Sequence, residues 1–327
     1  MKTTRYVNSL IIISIIINLI FLSGCNTQKN ITREKEGFLF DTVVVISLTG
    51  VNPEETINEA LDYAASLDKK WNKNNPESEI YKINHSDNKP VFVSKETINL
   101  LNYASEFSKS VNMVTNPAIG SVTSLWDFKS ESPEIPEKEK IAEALNHTEI
   151  NNICINDDSV CLTDIDAKID PGFIAKGYAA DLIKEFILNK GDYYGFINLG
   201  GNVLTVGQKP GNKPFVIGIK DPDINSPNSI ITTVEVFDGS VVTSGIYERY
   251  FISGSEIYHH ILDTKTGYPI RNNLLSVTVI GKESITCDAL STALFAAGYD
   301  NGKKILNNYP GYKAIYINNE MEILTLE

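Results

Sequence analysis

Asp288 and Thr292 stand four residues apart in the run Thr286-Cys287-Asp288-Ala289-Leu290-Ser291-Thr292-Ala293-Leu294-Phe295. On a helix, positions i and i+4 share a face, so a carboxylate and a hydroxyl would meet there. Both are hard oxygen donors of the kind Mg²⁺ takes, and Mg²⁺ usually fills its other positions with water and phosphate oxygens. The pair also fits a plainer role, with Asp288 capping a helix start and Thr292 bonding its own backbone. A second run, Ile169-Asp170-Pro171-Gly172-Phe173-Ile174-Ala175-Lys176-Gly177, puts a turn before a helix and a lysine in its first turn. Unpaired N–H groups at a helix start, with a lysine beside them, attract an anion. The P-loop pattern is not met. A third, Tyr258-His259-His260-Ile261-Leu262, carries two of the chain's four histidines into a Gly/Pro turn. One ring would serve as general base, titrating near the unperturbed value of about 6.5. Adjacent strand residues face opposite sides, so only one of the two is expected in a site.

The elements that must hold these groups are legible in the pattern. Pro53–Trp71, Ser94–Val111, Pro136–Asn146, Phe173–Asn189 and Glu283–Gly298 carry apolar residues at helical spacing. Gly37–Leu48 reads as one strand, and Asn152–Ile169 as a hairpin with a third short strand. Gly195–Val206, Phe215–Lys220, Ile230–Phe237, Ser240–Thr243, Glu248–Ile252, Tyr258–Leu262, Leu274–Ile280, Tyr312–Asn318 and Met321–Leu326 complete the strands. Strands and helices do not alternate strictly, which points to an α+β domain rather than a doubly wound parallel sheet.

Residues 1–24 read as a leader: Lys2 and Arg5 precede the apolar run Leu10–Leu22, which is short for a membrane span. Leu22-Ser23-Gly24-Cys25 resembles a bacterial lipoprotein processing site, with Cys25 lipidated. A diacylglycerol there would anchor the protein to the outer face of the cell membrane. Residues 25–36 read as a polar tether and 37–327 as a single domain. The chain carries a net charge of −12, which disfavours nucleic acid as a partner and requires any anionic ligand to find positive charge locally. No CxxC motif occurs, so a structural zinc site is not indicated. Cys154 and Cys161 flank Asn156-Asp157-Asp158-Ser159 and would face each other across a hairpin; the sequence leaves open whether they are bridged.

Taken together, NNPESEIYKIN (74–84), NPAIGSVTSLW (116–126), IDPGFIAKGYAAD (169–181), INLGGN (197–202), TSGIYERYF (243–251), HILDTKTGYP (260–269) and DALSTALFAAG (288–298) resemble the ApbE family of FAD:protein FMN transferases, in the family's order. The resemblance implies an ApbE-like fold of mixed or antiparallel sheets and packed helices, with FAD and Mg²⁺ in a cleft. It assigns the metal to the side chains of Asp288 and Thr292 and the carbonyl of Phe173. It assigns FAD to Phe40, Val114, Thr115, Asn116, Asp170, Lys176 and the backbone near Leu262, and places His260 at the catalytic histidine. Two departures stand out. Asn74 occupies a position where the family often has Tyr, whose stacking role would pass to a neighbour such as Trp71. Asp263-Thr264-Lys265 replaces a common Asp-Pro-Thr.

The implied reaction is Mg²⁺-dependent transfer of FMN from FAD to a threonine of an acceptor protein, with AMP released. The acceptor would carry a Ser/Thr-Gly-Ala-Thr-like motif, as in an extracytoplasmic electron-transfer protein. Two alternatives remain at this point: an FAD pyrophosphatase that uses water, and a flavin-binding lipoprotein without catalysis. Should His260 not be the base, Asp170 is the next candidate.

Overall fold

The computed structural model describes residues 30–223 and 226–327. The leader and Cys25 lie outside the described residues. Eight antiparallel strands form one sheet in the order β1-β2-β6-β7-β10-β13-β14-β15. These are β1 (Ile31–Leu39), β2 (Thr42–Gly50), β6 (Tyr194–Leu199), β7 (Asn202–Val206), β10 (Ser240–Gly245), β13 (Leu274–Gly281), β14 (Lys313–Asn318) and β15 (Ile323–Leu326). In β2, Val44, Ile46 and Leu48 are buried while Val43 is exposed, the period-two pattern of a sheet with one covered face.

Three long helices lie against this sheet: α1 (Pro53–Trp71), α6 (Ala175–Lys190) and α7 (Ser284–Leu306). Helix α1 starts with proline and the acids Glu54 and Glu55, and ends on Lys69 and Lys70, which suits its macrodipole. Its buried stripe, Ile57, Ala60, Ala64, Leu67 and Trp71, joins the main core. Helix α7 continues past the expected end at Gly298, which adopts a φ of 72° and kinks it. Between these elements stand α2 (Glu79–Asn84), α3 (Lys95–Ser110), the single turn α4 (Gly120–Thr123) and α5 (Lys138–Leu145).

Several strand expectations also change: Gly195–Val206 is not one strand but the pair β6 and β7, and the strand expected over Tyr258–Leu262 ends at His259. The strand expected over Gly37–Leu48 is a hairpin that already begins at Ile31, so Ile31–Glu36 is strand rather than tether. Its turn is Phe40-Asp41, both with positive φ (52° and 60°), joining the paired residues Leu39 and Thr42. Two-residue turns of this hand usually advertise themselves by Asn-Gly or Asp-Gly, and Phe-Asp gives no such signal. The third strand expected before Ile169 does not form. Instead β5 (Ser159–Leu162) pairs with β4 (Ile153–Ile155) and with the short β3 (Val91–Phe92).

Two hairpins complete the structure, β8 (Phe215–Lys220) with β9 (Ile230–Val236), and β11 (Tyr250–Ser253) with β12 (Glu256–His259). The second is seated by a smaller apolar cluster of Val122 from α4, Ile141 from α5, Trp126, Phe251 and Leu262. Trp126 stacks on Phe128 and Tyr258 and donates its indole N–H to the Gly267 carbonyl at 3.0 Å. This cluster fixes the path of the chain from His259 to Pro269.

Candidate functional site

Helix α7 has no side-chain cap of its own, because Glu283 stands at the N-cap without such a bond. Asp181 of α6 supplies it: its two carboxylate oxygens accept the N–H groups of Ser284 and Ile285 at 3.0 and 2.8 Å. Burial nonetheless pushes Asp181 up to about 6. Asp288 is therefore not the cap. It lies one turn further in, 4% exposed, and accepts the Gly177 N–H at 2.7 Å. That bond depends on how closely α6 and α7 approach. A Cβ on residue 177 would collide with the Ser284 carbonyl oxygen and come within 2.6 Å of the Asp288 Cβ. Gly177→Ala is therefore expected to destabilise the fold by about 1–3 kcal/mol, the usual range for overpacking. Chemical denaturation would measure it, and unchanged stability would contradict this packing.

In a regular helix the Gly177 N–H would bond the carbonyl of Phe173. Here it bonds Asp288, and among the described residues no hydrogen bond reaches the Phe173 carbonyl. The half-buried Thr292 shares a hydrogen bond with Ser244 at 3.1 Å, and Ser244 also meets Ser291 at 2.8 Å. A buried carboxylate, an anchored hydroxyl and a carbonyl lacking its helical donor are all hard oxygens, a donor set that fits Mg²⁺. Burial raises the Asp288 pKa above the usual carboxylate range, although the Lys176 charge and the Gly177 N–H pull it down.

The two histidines part company. His259 is 4% exposed; its Nε2 meets the Ile270 carbonyl at 3.0 Å and its Nδ1 accepts the Ile261 N–H at 3.3 Å. That combination fixes the neutral ring with its proton on Nε2. Burial takes its pKa down to about 4. His260 turns the other way. Its backbone N–H and its Nδ1 both point at the Arg249 carbonyl, at 3.1 and 3.3 Å. With the proton on Nδ1, Nε2 is left as the acceptor, which is what a base requires. Although the ring is only half-buried by surface exposure, desolvation first, then the charges of Arg249 and Lys176, lower His260 to about 3. The expected titration near 6.5 is thus displaced, because desolvation and two cations all disfavour the imidazolium. Lys176 acts on both Asp288 and His260, which puts the three groups within one electrostatic neighbourhood.

The groups around Asp170 take up both of its carboxylate oxygens. Its backbone N–H donates to the Pro117 carbonyl at 2.8 Å. Its carboxylate accepts from Lys73 Nζ at 2.5 Å, Thr123 Oγ1 at 2.6 Å and the Gly172 N–H at 3.0 Å. Burial works to raise its pKa, but Lys73 and these bonds outweigh it and hold the group below the usual range. In the sequence Lys73 is one residue of a polar loop, and its only signal is position, directly before the Asn74–Asn84 block. It also donates to Thr123 at 2.8 Å, tying that loop to α4 and to the turn before α6. A polar cavity of about 240 Å³ opens beside it, lined also by Asn74, Asn84, Ser124 and Lys168. A larger one of about 390 Å³, lined by Val93, Lys95 and Asp157, touches none of Asp170, Lys176, His260, Asp288 and Thr292.

Lys73→Met is expected to cost about 1–3 kcal/mol, since both side chains of the pair keep some solvent. A depressed carboxylate stabilises above its unfolded pKa and loses that contribution as pH falls through the folded one. The gap between wild type and Lys73→Met should therefore close as pH drops below about 4. A gap independent of pH would rule out the charge as its cause.

The other residues that the resemblance assigns to FAD lie in turns and loops. Phe40 is half-buried in its left-handed turn and packs on the core. Thr115 is buried against Ser108 at 3.2 Å. Asn116 spends its side chain on the loop, donating to the Thr148 carbonyl at 2.7 Å and accepting the Ala118 N–H at 2.9 Å, while its carbonyl accepts the Ile119 N–H at 3.3 Å. Val114 is half-buried beside them. Thr264, where the family often has proline, donates to the Met113 carbonyl at 2.7 Å and so ties the turn to this loop. Leu262 is buried and bridges to Pro269. Trp71 does not replace the missing Tyr at 74. It is 4% exposed, bonds Thr97 at 3.0 Å and stacks on Tyr178 in the core.

Comparison with known proteins matches this arrangement to one family. The sequence profile described as the ApbE family matches residues 40–316. A FAD:protein FMN transferase of Klebsiella pneumoniae is 34% identical over 254 residues, covering 77% of this chain and 78% of its own. One from Treponema pallidum is 31% identical over 243 residues, covering 70% and 67%. Among solved structures, the ApbE protein of Thermotoga maritima superposes with a TM-score of 0.84 at 34% identity, over 91% of this chain and 97% of that one.

Proposed function

Because this chain belongs to the ApbE family, we propose that it is a FAD:protein FMN transferase that uses Mg²⁺ to move FMN onto a threonine hydroxyl and release AMP. One observation carries the reading: a buried Asp288, held by the Gly177 N–H one turn from Thr292, in the electrostatic reach of Lys176 and through it of His260. Asp288, Thr292 and the Phe173 carbonyl would hold the ion. The chemistry such an ion supplies is neutralisation of the pyrophosphate and orientation of its phosphorus for in-line displacement.

The chain's own residues do the rest. Lys176 and Arg249 bring positive charge to a protein of net charge −12, so an anionic substrate is drawn to this region in particular. Nε2 of His260 accepts the proton of the attacking hydroxyl, whose oxygen bonds to the FMN phosphorus as the bond to the AMP oxygen breaks. AMP departs with that electron pair. Lys73 keeps Asp170 ionised and the turn before α6 in place. Incubation with FAD, Mg²⁺ and a protein bearing a Ser/Thr-Gly-Ala-Thr-like motif should add the mass of FMN to the acceptor and yield AMP, and chelation should stop both. Free FMN with an unmodified acceptor would identify a pyrophosphatase instead; bound, intact FAD would identify a binder.

We further infer an extracytoplasmic lipoprotein, on the strength of Leu22-Ser23-Gly24-Cys25 behind an apolar run. Among the described residues no helix is long and apolar enough to cross a membrane. Cys25→Ser should leave a folded, unprocessed precursor that lacks lipid. Unchanged mass and membrane fractionation would exclude lipidation at this residue.

A further inference from the structure

Cys154 and Cys161 are direct partners across the β4–β5 hairpin, half-buried and unbridged. The ladder shows which kind of pair they make. The Asn156 N–H donates to the Ser159 carbonyl on one side, and the Thr163 N–H donates to the Asn152 carbonyl on the other, each at 2.9 Å. Hydrogen-bonded and non-hydrogen-bonded pairs alternate along an antiparallel ladder. Two steps from either bond, 154 and 161 form a hydrogen-bonded pair. Its Cα atoms are then about 5.5 Å apart, within the range of about 4.4–6.8 Å that a disulfide spans. Its Cβ atoms are the harder constraint. Directly opposite residues hold them about 4.5–5.5 Å apart, whereas a disulfide brings them to about 3.8 Å. A bond can close, but only by pinching the strands.

The two thiols already interact: burial, and then the neighbouring Cys154, raise the pKa of Cys161. Cys287 does not compete, being fully buried in α7 with its sulfur at the Ser240 carbonyl. A bond here would also be a poor structural staple. It closes a very short loop that the hairpin has closed already, and the stability gained from a disulfide grows with the length of the loop it closes. A bond that strains its strands and closes so short a loop is of the labile, reducible kind.

We propose that Cys154 and Cys161 are a redox-modification site, where a cross-strand disulfide forms and is reduced reversibly by exchange with protein or small-molecule disulfides. One thiolate attacks the external disulfide and expels a thiolate, giving a mixed disulfide. The second thiolate then attacks the bonded cysteine sulfur and expels the other external thiolate. Two electrons pass to the oxidant, which leaves as two thiols carrying the two cysteine protons. The site does not depend on the flavin-transfer reading.

The test equilibrates the full chain in glutathione buffers running from fully reduced to fully oxidised, quenches in acid, alkylates under denaturing conditions and digests with trypsin. Both cysteines fall in the peptide Ile141–Lys168. At the oxidised end this peptide should be unalkylated and lighter by two hydrogens than its free dithiol form; at the reduced end it should carry two alkyl groups. The Cys287 peptide should be alkylated throughout. Two alkyl groups at every ratio, a persistent single glutathione adduct, or an internal bond that survives the reduced end would each overturn the proposal.

Discussion

Asp288→Asn should lower FMN transfer by about 10²-fold or more, beyond the 10–100-fold typical of groups that merely orient a metal ligand. Asparagine keeps an oxygen for the Gly177 N–H and removes only the charge, so the packing of α6 on α7 is retained. The stability readout separates the two roles open to the residue. A carboxyl whose folded pKa stands above its unfolded value costs stability as pH rises through that interval. Burial puts Asp288 in that class. Without metal, the Asn variant should therefore be at least as stable as wild type at neutral pH. With metal, wild type should gain thermal stability on adding Mg²⁺ and the variant should not. Metal binding must also displace the proton from Asp288, so Mg²⁺ affinity should fall as pH drops into the raised range. A variant that is simply less stable, and equally stabilised by Mg²⁺, would show Asp288 to be structural.

His260→Ala is expected to cut single-turnover transfer by about 10²–10⁴, the usual contribution of acid–base help, while FAD affinity changes little. His259→Ala should do the reverse. It removes a buried ring that serves both the Ile270 carbonyl and the Ile261 N–H, and should cost about 1–3 kcal/mol of stability with the chemical step intact. The pH profile gives a second check. A base with a free-enzyme pKa of about 3 is already unprotonated throughout the neutral range. The profile of kcat/KM, which reports the free enzyme, should show no inflection near 6.5, and its His260-dependent limb should lie far to the acid side. An inflection near 6.5 that vanishes in His260→Ala would mean that the ring is far better solvated than its position indicates.

What the sequence determined by itself is the local pattern and the inventory of reactive groups. Helical periodicity located α1 to the residue, and alternation located most strands of the main sheet. The i, i+4 spacing put Asp288 and Thr292 on one helix, whereas the strand expected to run through His260 ends at His259, so the different partners of the two rings come from the fold. Tertiary structure decided the rest, for reasons of reach. Asp288 had two readings from spacing alone; Asp181, more than a hundred residues away, takes the capping role and frees it. Lys73 had no signal beyond its place before the Asn74–Asn84 block, because its meaning lies in an ion pair with Asp170 across 97 positions of chain. The Phe40-Asp41 turn is silent in the sequence because its left-handed backbone is imposed by the pairing of β1 with β2, without the glycine or asparagine that would announce it. Protonation was the least legible property of all. The pKa values of His260 and Asp170 are set by burial and by cations from other elements, and only folding brings those together.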